Sequence, residues 1–209
     1  MKKGLVLAAA LLGATGFCFG QEPYRVAKGH TLLGHGRITR KLTETGGMFT
    51  QMVMDFKKDG KLVEVTTETT IDPTGAFVRE VETVTPDGKP PEEQFVVNYD
   101  SSGAHVVLKQ HAVPTKTDVA PLPELSPGDP SELWFIKTQP KVGDSCKFQV
   151  FSPEKMNWEP GETTYVSTTQ GRHVIKTTIG DRTIDTVLDD TGYIIRLTDS
   201  SGFRLVRDR

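Results

Sequence analysis

The sequence predicts an all-β protein folded as an antiparallel meander. Three observations carry that reading. Most of the chain divides into short segments in which apolar and polar residues alternate, rich in Val, Ile and Thr, the period of a strand with one wet face. Between such segments one turn pattern recurs, D-x-x-G: Asp72-Pro-Thr-Gly75, Asp100-Ser-Ser-Gly103, Asp189-Asp-Thr-Gly192 and Asp199-Ser-Ser-Gly202. Its Asp accepts hydrogen bonds from nearby backbone N–H groups, and its Gly tolerates positive φ. No segment sustains a helical period, which leaves room for a few short helical turns at most.

Taken in order, residues 1–20 read as a secretory signal. Lys2 and Lys3 form a charged start, and Leu5 to Ala14 form an apolar run of about ten residues, half of what a membrane span needs. Cleavage after Gly20 or after Gly16 fits the small residues that follow. Cys18 is preceded by the bulky Phe17 where a lipoprotein signal has a small residue, so the reading is a soluble exported chain, periplasmic or secreted. Cys146 is then the single remaining thiol and cannot form an internal disulfide.

The formal charge of the whole chain is −2, and loss of Lys2 and Lys3 takes the mature part to about −4. That balance argues against nucleic acid and anionic lipid surfaces as partners. No later stretch is apolar enough to cross a membrane as a helix.

Phe49 to Lys57 places Met52, Met54 and Phe56 on one face. Leu62 to Ile71 places Val63, Val65, Thr67, Thr69 and Ile71 on one face and Glu64, Thr66, Glu68 and Thr70 on the other. Phe77–Val84, Phe95–Tyr99 and Ala104–Lys109 continue a first meander over residues 21–111, joined by Lys58-Asp-Gly60, Pro86-Asp-Gly88 and two of the D-x-x-G turns. Residues 112–132 carry Pro114, Pro121, Pro123, Pro127 and Pro130 and read as a crossover rather than a central strand. Asp129-Pro130-Ser131-Glu132 reads as a helix cap opening a short turn at Leu133-Trp134-Phe135.

A second meander over 133–209 follows, with segments 147–151, 163–168, 173–179, 183–188, 193–198 and 203–207. Ile184, Thr186 and Leu188 share a face, and so do Tyr193, Ile195 and Leu197. Roughly twelve strands are expected in all, in one continuous domain over 21–209. The tetrapeptide Asp-Ser-Ser-Gly stands in both halves; with nothing else matching, it reads as repeated turn chemistry rather than an internal duplication.

Chemistry is sparse. His30 and His35 are five positions apart, opposite faces on a strand, with no acidic or Cys partner at metal spacing. His105, His111 and His173 are isolated in the sequence. Asp181, Asp185, Asp189 and Asp190 concentrate carboxylates around one hairpin, but the EF-hand spacing is absent and three of the four stand where turns want Asp. Cys146 reads as a structural thiol. Neither G-x-S-x-G, H-E-x-x-H nor a P-loop occurs, and Gly34-His-Gly36 lacks the rest of a dinucleotide fingerprint. The large aromatics Trp134, Phe135, Trp158, Tyr165 and Tyr193 are the candidate lining of an apolar ligand site, with core packing as their other role.

Pro140-Lys-Val-Gly-Asp144, Lys147 to Phe151, Thr164-Tyr165-Val166 and the run from Leu188 through Gly192 to Arg196 together resemble a group of exported bacterial β-rich proteins of unknown function. These are similar in turn to the outer-membrane lipoprotein carriers, whose long antiparallel sheet curves into a half-barrel around an apolar cavity. The resemblance covers roughly residues 133–207 by motif and 30–111 by strand pattern. It implies a large curved antiparallel sheet, half-barrel-like, and it carries over no catalytic residue.

The expected function is that of a non-enzymatic exported envelope protein, without metal or cofactor, binding a hydrophobic ligand or a protein partner on the sheet's concave face. The alternatives are a scaffold that docks another envelope protein along a sheet edge and a hydrolase using the Asp181–Asp190 cluster.

Overall fold

The computed structural model describes residues 21–208 except 59, 75, 88, 122–133, 136–137 and 154. The export signal, Cys18, both cleavage positions and the helix cap at 129–132 lie outside the described residues.

Fourteen strands form one antiparallel sheet among the described residues. The first run is β1 (Gln21–Lys28), β2 (Thr31–Leu42), β3 (Met48–Lys58), β4 (Lys61–Ile71), β5 (Phe77–Pro86), β6 (Glu93–Asp100), β7 (Gly103–Gln110) and β8 (Val113–Pro121). The second is β9 (Ser145–Ser152), β10 (Asn157–Thr169), β11 (Arg172–Ile179), β12 (Arg182–Asp189), β13 (Ile194–Asp199) and β14 (Phe203–Arg207). Each run is a meander of sequential neighbours, and the two join where β1 pairs with β14, Tyr24 opposite Arg207 and Val26 opposite Leu205. The chain's first and last strands therefore lie at the centre of the sheet. Its edges, β8 and β9, lie on either side of the proline-rich middle of the chain.

The sheet is not closed, yet it curls. One face of β1–β4 and β11–β14 packs against itself as the main core, with Val26, Met54, Ile175, Leu188 and Leu197 at its centre. Nearer the edges, Val97, Ala104, Val106 and Ala120 of β6–β8 form a second cluster with Phe151 of β9. Tyr99 stands 6.5 Å from Phe151 and 6.0 Å from Trp158, ring centre to ring centre. Phe151 and Trp158 are cross-strand partners and alternate with Phe148 and Gly161, so they belong to the opposite face of their hairpin. The β9–β10 edge thus tucks its reverse face under the concave wall of β6–β8, in the manner of a scroll. Side chains rather than backbone hydrogen bonds hold the two ends together.

The D-x-x-G turns share one construction. Oδ1 of Asp189 accepts from the Thr191 N–H (3.0 Å), the Thr191 hydroxyl (2.6 Å) and the Tyr193 N–H (3.0 Å). Asp199 does the same with Ser201 and Phe203, and Asp72 with Thr74 and Ala76. Asp100 takes the N–H and hydroxyl of Ser102. Gly192 and Gly202 have φ of 80° and 82°, the left-handed region in which glycine carries no Cβ penalty.

Several sequence expectations need correction. Val113–Pro121 is a strand, not a crossover. Pro114 and Pro121 are tolerated because β8 is an edge, with β7 on one side only. β10 begins at Asn157, six residues before the expected start, even though it contains Pro160 and Gly161. Its long hairpin with β9 overrides their low strand propensity. In β13 a register shift opposite Val187/Leu188 brings Ile194 inward beside Leu188, so Ile194 and Leu197 are buried and Tyr193 and Ile195 are not. By contrast Val63, Val65, Thr67, Thr69 and Ile71 are all buried on one face, as their alternation predicts.

Trp134, Phe135 and Thr138 have helical backbone, and the Gln139 N–H donates to the Phe135 carbonyl at 3.1 Å. No helix of the described residues is long and apolar enough to cross a membrane.

Candidate binding cleft

The register of β4–β8 lays two rows of side chains across the concave wall. One runs Thr69, Glu80, Val97, Val106, Asp118; the other runs Thr67, Glu82, Phe95, Leu108, Lys116. The turn joining β9 to β10 supplies Pro153 and Met156 against this wall. Between wall and turn lies a cleft of about 150 Å³. Its apolar sides are Phe95, Val106, Leu108, Pro153 and Met156, and Lys116 and Asp118 stand at its polar end, 3.6 Å apart. A smaller pocket of about 30 Å³ adjoins it, sharing Phe95 and Pro153, and is bounded by Thr67, Glu80, Glu82 and Val97.

Glu80 is the unusual member. It is 7% exposed, and Oε2 accepts a hydrogen bond from the Tyr99 hydroxyl. Its other oxygen, Oε1, is buried and has no partner, and neither have the hydroxyls of Thr67 and Thr69. Burial, with the Glu82 charge adding to it, raises the Glu80 carboxyl to about 7 against the opposing Tyr99 hydrogen bond. Burial, then the Glu80 charge, pushes the Tyr99 hydroxyl well above its usual range.

The five aromatics expected to line a site fall in three places, and none is among the residues lining these clefts. Trp158 comes nearest, in the Phe151–Tyr99 cluster at the seam. Phe135 packs edge-on to Tyr165, centroids 5.1 Å apart, over one end of the main core, and Trp134, in the same helical stretch, is buried. Tyr193 sits elsewhere, with the Arg40 guanidinium 5.0 Å from its ring centre. Sequence reasoning missed Glu80, Phe95, Val106, Leu108 and Met156. The signal in reach was parity: Glu80 and Glu82 occupy the positions of β5 that share a face with Val84, an apolar face with two acids on it.

Two polar constellations not evident in the sequence also form. His173 bridges the Tyr165 hydroxyl (2.7 Å at Nδ1) and Asp190 (3.0 Å at Nε2), with Phe135 packed beside it. The relay links β10, β11 and the β12–β13 turn. Asp100, Ser102 and His105 meet on the surface, but both contacts converge on Nε2 of the imidazole. A nucleophile–base relay uses the two ring nitrogens separately.

In the Asp181–Asp190 group, the extended β12 separates Asp181 from Asp189 by about 26 Å. Asp189 also pairs with Arg207 at 2.8 Å. Burial works against its ionisation, but hydrogen bonds from Thr191 and Arg207 hold it below the usual carboxylate range. Among the described residues no three His, Cys, Asp or Glu side chains gather as a metal site.

No protein-family model matches the chain, and no curated protein matches it in sequence. Among solved structures it is similar to a DUF1089 family protein from Pseudomonas aeruginosa, at 9% identity over 88% of this chain and 94% of that one, with a TM-score of 0.43.

Proposed function

We propose that this is an exported, non-enzymatic binding protein that holds a small apolar or amphiphilic molecule between the β5–β8 wall and the β9–β10 turn. The observation that supports this most directly is the cleft at the seam. The main core packs its own side chains together, whereas here about 150 Å³ stays open between apolar walls. A space of that order holds a six-membered ring when its lining is apolar. The resemblance to lipoprotein carriers points toward a lipid, and only parting of the two sheet ends would admit a whole acyl chain. Export, read from Lys2, Lys3 and the apolar run that follows, would place the protein in the periplasm or outside the cell.

Saturation-transfer NMR with toluene tests the cleft. Wild-type protein is expected to show saturable transfer, and Leu108→Phe, which fills the space from a partly exposed position, is expected to remove it. Equal transfer in both proteins would assign the signal to nonspecific surface contact and sink the reading.

A further inference from the structure

The small pocket beside the cleft has a polar character that an apolar ligand leaves unused. Resting on the binding reading above, we propose that it is an ammonium subsite: the cleft takes a ring or short alkyl group whose primary amine reaches Glu80.

Three features of the geometry support it. The pocket's space of about 30 Å³ suits one water-sized group, and it shares Phe95 and Pro153 with the apolar cleft, so a single molecule can span both. Its wall holds two buried acceptors without donors: Glu80 Oε1 and the hydroxyl oxygen of Thr67. An –NH3+ group offers three donors and no acceptor, which suits both.

Charge points the same way. Among the described lining residues, Glu80, Glu82 and Asp118 stand with one cation, Lys116, which is paired with Asp118. A buried carboxylate beside a like charge is costly, and a bound cation offsets that cost. A neutral hydroxyl could donate once but would bring no charge to Glu80.

Among the described residues, the charged and titratable groups facing Glu80 are Glu82 on its own strand and Tyr99 of β6; β4 presents the neutral Thr67 and Thr69. The β9–β10 turn presents Pro153, and its Lys155 is held by Glu159. The amine therefore meets no competing free cation from these neighbours. Because Glu80 protonates near 7, affinity for an amine should fall on acidification while affinity for a neutral ring should not.

The test compares benzylamine, benzyl alcohol, toluene and benzoate by ligand-detected NMR titration against wild type and Glu80→Gln at about pH 8. Benzylamine is expected to bind wild type about tenfold or more tighter than toluene, the worth of a hydrogen bond to a charged group, and to lose that margin in Glu80→Gln. Toluene binding should be the same in both proteins, which also shows that the variant is folded. Lowering wild type to about pH 5.5 should weaken benzylamine and leave toluene unchanged.

Equal affinity for benzylamine and toluene, tighter binding of benzyl alcohol than of benzylamine, or an unchanged benzylamine affinity in Glu80→Gln would each overturn the ammonium subsite while leaving the apolar cleft standing. Failure of all four probes to bind would remove both readings.

Discussion

Glu80 shows how far one residue's behaviour depends on its surroundings. On an exposed strand it would ionise near its ordinary value of 4.5; under the roll it does so near 7. A carboxyl raised by folding contributes stability that is fully present below the unfolded value and is lost as pH rises through the folded one. The window is therefore about pH 4.5 to 7, and the loss across it is on the order of 3 kcal/mol. Glu80→Gln should flatten this part of the stability–pH curve and leave the protein more stable than wild type at neutral pH, measured by urea denaturation at several pH values. An unchanged slope would show that Glu80 is well solvated.

Gly34 makes the contrasting point. A Cβ there would lie 1.8 Å from the Asp55 carbonyl oxygen. Gly34→Ala must push β2 away from β3 and should cost about 2 kcal/mol or more, read as a fall in Tm. The glycine was visible in the sequence. The reason for it was not, because the Asp55 carbonyl, one position along from Gly34's partner Phe56, comes close only once β2 and β3 pair.

Among the elements, the hairpins were the most legible. The D-x-x-G turns work as their residue types imply, since an Asp, its hydrogen-bond donors and a Gly all lie within five residues. Asp199→Ala removes three hydrogen bonds at the β13–β14 turn, one to a buried N–H, and should destabilise by about 1–3 kcal/mol in chemical denaturation.

The β7–β8 turn carried no such signal. His111 and Ala112 both adopt positive φ, 49° and 65°, in a two-residue connection where Asn-Gly is the usual solution. Ala112→Gly should stabilise by about 1 kcal/mol, the steric penalty of the left-handed region, as a rise in Tm. Turn chemistry was also what hid β8. Prolines argued against a strand there, and they do argue against a central one; the segment is an edge strand, where missing donors face outward. The inward turn of Ile194 was equally out of reach, because a bulge belongs to a strand pair and not to a strand.

For the whole molecule, the decisive feature is where the edges fall. Pairing of β1 with β14 puts the chain's ends at the middle of the sheet and its middle at both edges. Among the described residues the roll is then fastened at the seam by side chains such as Tyr99, Phe151 and Trp158. Trp158→Ala should cost about 3–4 kcal/mol and speed amide hydrogen exchange in β6–β10 more than in β1–β4 and β12–β14. Uniform acceleration across the sheet would mean that the seam is no weaker than the rest.

The same seam separates two kinds of knowledge about this protein. By itself the sequence determined the all-β class, the faces of most strands and the place of the D-x-x-G turns, because alternation and turn chemistry act within a few residues. Only the tertiary structure decided the β1–β14 junction, the edge role of β8 and the cleft between wall and turn. Glu80, Phe95, Leu108, Asp118 and Met156 are distant in sequence. They meet through a register summed over four strand pairs and a curl that brings the opposite edge across, and no local pattern of residues encodes such a sum.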